Sequence, residues 1–194
     1  MMKGIALALV LAAGSAATPA WAQQTGVTVD MAASIAPNRF VWADTDGVQP
    51  VSVVVSIADQ RAYVYRGQTL IGVSSVSTGK EDKPTPAGTY PILQKKVAHR
   101  SNLYDDAPMP FMQRLTWDGI ALHAGRNPGY AASHGCVRLP TAFAKKLFAI
   151  TSVGSTVTIQ DDPFVPGDDW TPPAAEPDTD TTRANTLVLA SLEK

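Results

Sequence analysis

The sequence has 194 residues but only one cysteine, Cys136, and three histidines. A single cysteine cannot form an internal disulfide, so this fold cannot depend on such a cross-link. Charged residues make up 17% of the chain, aromatic residues 7%, and the formal net charge is −1. No basic stripe with interleaved aromatic side chains is present, and this argues against nucleic acid as a partner.

The apolar run near the N-terminus is too short for a stable membrane anchor. It covers residues 5–13, whereas a membrane-spanning helix needs about 20 residues. Lys3 precedes the run, and Ala20-Trp21-Ala22 follows it. A basic start, an apolar centre and small residues at the end are typical of a secretory signal peptide. We therefore expect residues 1–22 to be removed and the protein to be exported to the periplasm or cell wall.

The expected export affects how the single cysteine, Cys136, is interpreted. An unpaired cysteine outside the cytosol is exposed to oxidation, which indicates pairing with another chain or a reactive role. The simplest alternative is that Cys136 is a small buried apolar residue. Glycine and polar residues surround it in the sequence, and they favour the reactive role.

The low net charge hides an uneven distribution along the chain. Residues 51–160 contain 12 Lys plus Arg and 6 Asp plus Glu, whereas residues 161–194 contain 2 and 8. The acidic segment also carries five prolines, which predicts a disordered tail. We predict a catalytic domain over 51–160, an N-terminal extension over 23–50, and a tail over 161–194. A basic domain favours an anionic partner.

Hydrophobic patterning predicts a mostly β fold. Runs rich in β-branched residues or with alternating polarity predict strands at 51–57, 61–65, 69–77, 88–98, 111–117, 120–124 and 155–160. Asp118-Gly119 predicts a tight hairpin between two of them. One principal helix is predicted, with Pro140 in its first turn and Gly154 after its end. We expect a small β-sandwich or half-open barrel of mixed strands.

Cys136 lies in the run Ser133-His134-Gly135-Cys136-Val137-Arg138, and His123 lies thirteen residues upstream. A free thiol has a pKa of about 8.5 and needs a nearby base to become a nucleophile at neutral pH. Two histidines are close enough in sequence to supply that base. Arg138 adds a cation that can bind a carboxylate through its guanidinium fork.

Four motifs together resemble a known family. They are Val76-Ser77-Thr78-Gly79, Pro84-Thr85-Pro86-Ala87-Gly88, Leu122-His123-Ala124-Gly125 and the run from Ser133 to Arg138. In this order they resemble the catalytic domain of L,D-transpeptidases of the YkuD type, over about residues 51–160. The resemblance implies an exported, mostly β enzyme that acts on peptidoglycan stem peptides and needs no cofactor or metal.

The resemblance implies an acyl transfer in two steps. The cysteine attacks a carbonyl of the third stem residue, typically diaminopimelate, which has one L-centre and one D-centre. The attack is at the L-centre carbonyl and releases the terminal D-alanine. The resulting thioester passes to an amine, and this produces a 3-3 cross-link, anchors an outer-membrane lipoprotein, or exchanges a D-amino acid. Water as the acceptor would give an L,D-carboxypeptidase or amidase. These outcomes stay open, because the motifs describe only the donor half of the reaction.

The resemblance also implies roles for individual residues. Cys136 is the nucleophile and His123 the proton donor and acceptor, with the backbone carbonyl of Ala124 orienting its ring. The backbone near Gly135 is the expected oxyanion hole. His134 and Ser133 are supporting residues. Arg138 and Tyr130 are expected to contact the substrate, and further predicted groove residues are Tyr104, Met109, Phe111 and Trp117.

Other readings of the same residues are less favoured. In papain-like proteases the histidine lies far downstream of the cysteine, and in sortases it lies much further upstream. A metal site built from His99, His123, His134 and Cys136 lacks a paired ligand motif. A binding module that only holds the cell wall would have no need of both the thiol and its base.

Overall fold

The computed structural model describes residues 27–43 and 46–167. The predicted signal peptide, residues 1–22, and the tail beyond Gly167 lie outside the described residues. Among those that are described, no helix is long and apolar enough to cross a membrane.

A six-stranded sheet forms one layer of the fold. Its strands are β1 (Phe40–Trp42), β2 (Val51–Ser56), β3 (Arg61–Arg66), β4 (Thr69–Ser75), β5 (Gly88–Pro91) and β10 (Thr156–Gln160). They lie in the order β1-β4-β3-β2-β10-β5. Strands β2 and β10 are parallel, whereas the other neighbours are antiparallel. Every residue of β2 is buried, as its run of valines predicts for a central strand.

A four-stranded sheet forms the second layer. It contains β6 (Gln94–Lys96), β7 (Met112–Arg114), β8 (Ala121–Ala124) and β9 (Val137–Leu139), in that order. Strands β8 and β9 are parallel, whereas β6, β7 and β8 are antiparallel neighbours. Helix α2 (Thr141–Ile150) follows β9 and packs against β8.

The main core lies between the two sheets and α2. Val53, Val55 and Ile159 contribute from the first sheet, and Leu122 and Val137 from the second. Helix α2 adds its predicted apolar stripe through Phe143 and Leu147, both fully buried. This core fixes the strands on which the chemistry-bearing residues lie.

The outer face of the six-stranded sheet is covered by segments from outside the predicted domain. Short helix α1 (Val29–Ala33) and the following Ile35 pack over Val54 and Tyr63. From the other end of the chain, the ring of Phe164 lies 4.9 Å from that of Tyr63. Folded contacts therefore extend beyond residues 51–160 on both sides.

The predicted fold class is confirmed, since the structure is mostly β with mixed sheets and one main helix. Several boundaries differ from the predicted ones. The run 88–98 is divided between β5 and β6, which belong to different sheets. Strand β1 lies in the predicted extension, and strand β9 was missed because its three residues follow a polar turn. The Asp118-Gly119 hairpin is present, with Gly119 at φ +106.

Candidate active site

The register of the four-stranded sheet places four residues on one face. Arg114 on β7 is opposite Ala121 on β8, and His123 on β8 is opposite Arg138 on β9. Residues two apart on a strand share a face, so Arg114, Ala121, His123 and Arg138 all project to the same side. The alternate residues, such as Leu122 and Val137, face the core.

A cavity of about 900 Å³ opens on this face of the sheet. Cys136 and His123 both line it, together with Arg114 and Arg138. Its opposite wall comes from the predicted polar loop, residues 99–110. An Arg100–Asp106 ion pair of 2.9 Å closes that loop on itself.

The thiol of Cys136 lies in a mainly apolar setting. It packs beside Met109, Met112 and Ala121, and Sγ donates a hydrogen bond of 3.3 Å to the Gly119 carbonyl. Burial raises the pKa of the Cys136 thiol, while a backbone hydrogen bond from Ala121 and the charges of two arginines act in the opposite direction. The resting side chain is therefore a neutral thiol.

His123 is held in one tautomer by its neighbour. Its side chain is buried, and Nδ1 lies 2.8 Å from the Ala124 carbonyl oxygen. A carbonyl can only accept, so Nδ1 carries the proton and Nε2 is the free base. Burial lowers the pKa of His123, the Ala124 bond opposes this, and Arg138 lowers it further. The imidazole is therefore neutral at physiological pH.

The turn before the thiol depends on Gly135. Its φ is +114, a conformation that L side chains rarely adopt. The Gly135 N–H donates to Ser133 Oγ at 3.1 Å, and the Ser133 hydroxyl donates to the Cys136 carbonyl. The Gly135 carbonyl accepts a 2.7 Å bond from Thr85 Oγ1. This network holds the backbone on which the thiol is carried.

Arg138 is positioned by both its backbone and its stem. Its N–H and C=O exchange hydrogen bonds of 2.9 and 3.0 Å with Ser77. Its stem passes over Gly125, where an added Cβ would come within 3.2 Å of Arg138 Cγ and 3.4 Å of His123 Cε1. A glycine at 125 therefore lets the guanidinium stem and the imidazole lie side by side.

The cavity is positively charged. Three arginines line it, whereas Asp118 is the one acidic residue among the described lining residues. The ion pairs found in the described part of the chain are Lys80–Asp82 and Arg100–Asp106. The three arginines, Arg114, Arg126 and Arg138, therefore have no carboxylate partner among residues 27–43 and 46–167.

The other predicted site residues fall into two groups. His134 is exposed and stacks on Tyr104 with 4.8 Å between ring centroids, which connects the thiol loop to the loop 99–110. Tyr104, Met109 and Trp117 line the cavity. The structure does not bring Tyr130 or Phe111 to it: Tyr130 is 62% exposed, and the ring of Phe111 packs against Phe148.

The described residues contain no group of three or more metal-ligating side chains close enough to hold an ion. The set His99, His123, His134 and Cys136 lines one cavity without forming such a group.

Sequence reasoning missed two contributors to this site. Thr85 appeared only within a weak Pro-Thr-Pro motif, yet its hydroxyl connects the Gly135 carbonyl to the Gly79 N–H. Arg114 carried no signal at all, because nothing local indicates which face of a three-residue strand is the active one. Only the register with β8 shows that Arg114 lies on the same face as His123.

Comparison with known families gives a match over more than half of the chain. The family model of the L,D-transpeptidase catalytic domain, YkuD, matches residues 50–159. L,D-transpeptidase 1 from Mycobacterium tuberculosis is 24% identical over 134 residues, which cover 59% of this chain and 53% of the relative. The chain thus spans about half the length of the curated relative it matches.

Solved structures of similar fold cover a comparable part of the chain. An L,D-transpeptidase from Stackebrandtia nassauensis has 27% identity and a TM-score of 0.53, and the match covers 61% of this chain and 60% of that one. L,D-transpeptidase 3 from Mycobacterium tuberculosis, solved in complex with a faropenem-derived adduct, has 23% identity and a TM-score of 0.53. That match covers 58% of this chain and 60% of the other.

Proposed function

Because this chain belongs to the YkuD family of L,D-transpeptidase catalytic domains, we propose that it is an exported peptidoglycan L,D-transpeptidase with Cys136 as its nucleophile. The observation that carries this proposal is the cavity shared by a thiol and a neutral imidazole whose Nε2 is free to act as a base. Its substrates are the tetrapeptide stems of the cell wall in the periplasm.

The first half of the reaction forms a thioester. Cys136 Sγ attacks the L-centre carbonyl of the third stem residue, and His123 Nε2 takes the thiol proton. The C–N bond to D-alanine then breaks, and His123 returns the proton to the leaving amine. Burial favours the neutral form of both groups, so the imidazolium forms as the thiol attacks and lasts until His123 gives its proton to the leaving amine.

The second half transfers the acyl group. An acceptor amine attacks the thioester, its proton passes to His123, and the C–S bond breaks as the proton returns to Cys136 Sγ. A D-centre amine of another stem gives a 3-3 cross-link, a lipoprotein lysine gives anchoring, and a free D-amino acid gives exchange. Water in the same place gives hydrolysis.

The backbone N–H of Cys136 is the proposed oxyanion donor. Ser133 already accepts from the Gly135 N–H at 3.1 Å, which leaves the Cys136 N–H as the donor for the developing charge. Loss of one such donor costs about 3 kcal/mol in other acyl-transfer enzymes. The positive cavity supports the choice of substrate, because stem peptides carry several carboxylates and the lining supplies arginines to receive them.

Acylation by a penem or carbapenem tests the catalytic assignment. The similar L,D-transpeptidase 3 was solved with a faropenem-derived adduct, so faropenem is a suitable probe for this chain. We expect intact mass spectrometry to find one adduct on the purified protein and none on the Cys136→Ala variant. An adduct of equal yield on both would overturn the assignment.

A reaction with purified disaccharide tetrapeptide tests the outcome of the proposed reaction. We expect release of D-alanine, and mass spectrometry of the products with and without an added D-amino acid distinguishes exchange, cross-linking and hydrolysis. A Cys136→Ala sample serves as the control. Release of D-alanine that does not require Cys136 would contradict the mechanism.

A further inference from the structure

Arg114 lies on the face of the sheet that carries His123, on the opposite side of that residue from Arg138. Strand β8, which carries His123, has β7 with Arg114 on one side and β9 with Arg138 on the other. Both arginines line the same cavity as Cys136. The two cations thus lie on the strands that flank His123, in the cavity that Cys136 also lines.

The surroundings of Arg114 orient its guanidinium without neutralising it. Nε donates to Gln94 Oε1 at 3.3 Å, and the guanidinium carbon lies 5.6 Å from the centre of the Trp117 ring. Asp118 lines the same cavity but is not among the ion pairs of the described residues. The charge of Arg114 also acts on its neighbours, because it helps to lower the pKa of both Cys136 and His99.

A half-buried arginine without a carboxylate partner is a ready receptor for one. A guanidinium binds carboxylates through two parallel N–H donors, and burial strengthens such a bond relative to one in water. In the proposed substrate, carboxylates occur on both sides of the scissile bond: one at the D-centre of the third residue and one at the C-terminus of D-alanine. Two flanking arginines match two flanking carboxylates in number and charge.

We propose that Arg114 is a second substrate anchor, which binds a stem-peptide carboxylate on the β7 side of the thiol while Arg138 serves the β9 side. This inference rests on the proposed function. Holding the peptide at two points fixes the scissile carbonyl over Cys136 Sγ, and it selects peptides with free carboxylates over amidated ones.

Three synthetic tetrapeptides test the proposal. The first has both carboxylates free, the second has the D-centre carboxylate of residue three amidated, and the third has the C-terminal carboxylate amidated. We expect Arg114→Gln to reduce kcat/KM for the free peptide by about 10- to 100-fold, mainly through KM, as expected for loss of a charged hydrogen bond. Arg114→Lys should recover part of this loss, because it keeps the charge but not the fork.

Selectivity identifies the carboxylate that is bound. The unsubstituted protein should discriminate against both amidated peptides, and Arg114→Gln should lose the discrimination against one of them while keeping it against the other. If Arg114→Gln no longer discriminates against the peptide amidated at residue three, Arg114 binds the carboxylate of the third residue. If it no longer discriminates against the peptide amidated at the C-terminus, Arg114 binds the carboxylate of D-alanine. An equal reduction of kcat/KM for all three peptides in Arg114→Gln would indicate a general effect of charge, and it would overturn the proposal that Arg114 is an anchor.

Arg126→Gln is the matched control, because it removes one positive charge from the same cavity without altering the β7–β9 face. Arg126→Gln should reduce kcat/KM for all three peptides by the same factor. If Arg126→Gln changed the selectivity between the peptides and Arg114→Gln did not, the assignment would be overturned. Alkylation of Cys136 by neutral iodoacetamide, together with thermal unfolding, checks that each variant is folded. If the unsubstituted protein releases D-alanine from none of the peptides, the proposed function fails; normal release with unchanged selectivity in Arg114→Gln refutes only the anchor.

Discussion

At the scale of single residues, the protonation states of Cys136 and His123 decide how the site works. Burial acts on both groups in the direction that favours their neutral forms. A preformed thiolate is open to attack by oxidants, whereas a neutral thiol becomes nucleophilic only when the base and the substrate carbonyl are both in place.

The neutral pair leads to a prediction about pH. His123 acts as a base only when deprotonated, and its pKa is lowered, so the acidic limb of faropenem acylation should have its midpoint below the ordinary imidazole value of about 6.5. The raised pKa of Cys136 means that no thiolate-driven increase should occur near neutral pH. Acylation rates measured from pH 4.5 to 9 test this, and a midpoint above 7 would contradict it.

His123→Ala is the control for that limb. Without the base, acylation at pH 7 should fall by about 100-fold or more, and the remaining reaction should rise with pH as hydroxide generates thiolate. A folded His123→Ala protein that reacts at the original rate would transfer the base role to His134.

Gly135 offers a test of backbone geometry beside the thiol. At φ +114 an alanine is strained, and its Cβ would come within 2.9 Å of Ile120 Cδ1. Gly154, at φ +91, has open space around its Cβ position. Both alanine variants should lose about 1–3 kcal/mol of unfolding free energy, but only Gly135→Ala should slow acylation by more than tenfold. Equal acylation by both variants would show that the turn does not position Cys136.

Thr85 supports the same turn from the neighbouring loop. Its side chain is buried, donates to the Gly135 carbonyl and accepts from the Gly79 N–H. Thr85→Val keeps the shape but removes both bonds, so we expect a loss of about 1–3 kcal/mol in chemical denaturation and slower acylation. Thr85→Ser retains the hydroxyl and should stay close to the unsubstituted protein. If valine and serine behave alike, the hydroxyl has no such role.

At the scale of elements, the two sheets have different roles in the fold. The six-stranded sheet and α2 supply most of the apolar core, while the short strands of the second sheet carry the residues of the cavity. Strands of three or four residues provide little pairing on their own. The second sheet is therefore supported by loop contacts, such as the hydrogen bonds between Ser77 and Arg138.

The C-terminal segment after β10 is a second supporting element. Ser56 Oγ donates to the Asp162 carbonyl at 2.9 Å, and the Phe164 N–H donates to Asp59 at 2.8 Å. These bonds hold the Phe164 ring against Tyr63 on the outer face of the sheet. The sequence after residue 160 gives no signal for this contact, because its prolines and acidic residues are typical of a tail.

Removal of the Phe164 ring should weaken the whole sheet. Because the ring is half-buried, Phe164→Ala should lower the unfolding free energy by about 1–2 kcal/mol. Val165→Ala is the matched control, since Val165 is 78% exposed and should stay within about 0.5 kcal/mol. Urea denaturation of both variants decides this, and an unchanged midpoint for Phe164→Ala would mean that the segment does not stabilise the fold.

At the scale of the whole molecule, charge is separated along the chain. Residues 51–160 carry a balance of +6 and residues 161–194 a balance of −6. We propose that the acidic tail competes with the anionic cell wall for the basic cavity. Screening by salt over about 8–10 Å should weaken this competition.

Truncation after Gly167 tests the tail without removing Phe164. It deletes most of the acidic residues and keeps the segment that packs on the sheet, so thermal stability should not change. Binding to purified sacculi at low salt should become tighter, and the difference should disappear at high salt. Unchanged binding at low salt would refute the competition, and truncation after Gln160 would show the added effect of losing Phe164.

The sequence by itself was enough to indicate the family, the fold class and the candidate reactive residues of this protein. Cys136, His123 and Arg138 are recognisable from their types and spacing, and the alternation of apolar residues was enough to predict a mostly β fold with one main helix. These are local properties, since side-chain chemistry depends on residue type and strand periodicity depends on residues that are neighbours in the sequence.

Tertiary structure decided what these residues do together. Strand register placed Arg114 on the same face of the sheet as His123, and burial set the direction of the pKa shifts of Cys136 and His123. Pairing with β4 made β1 part of the sheet, and contact with Tyr63 extended the fold to Phe164. All of these depend on contacts between residues far apart in the chain, for which no local pattern gives a signal.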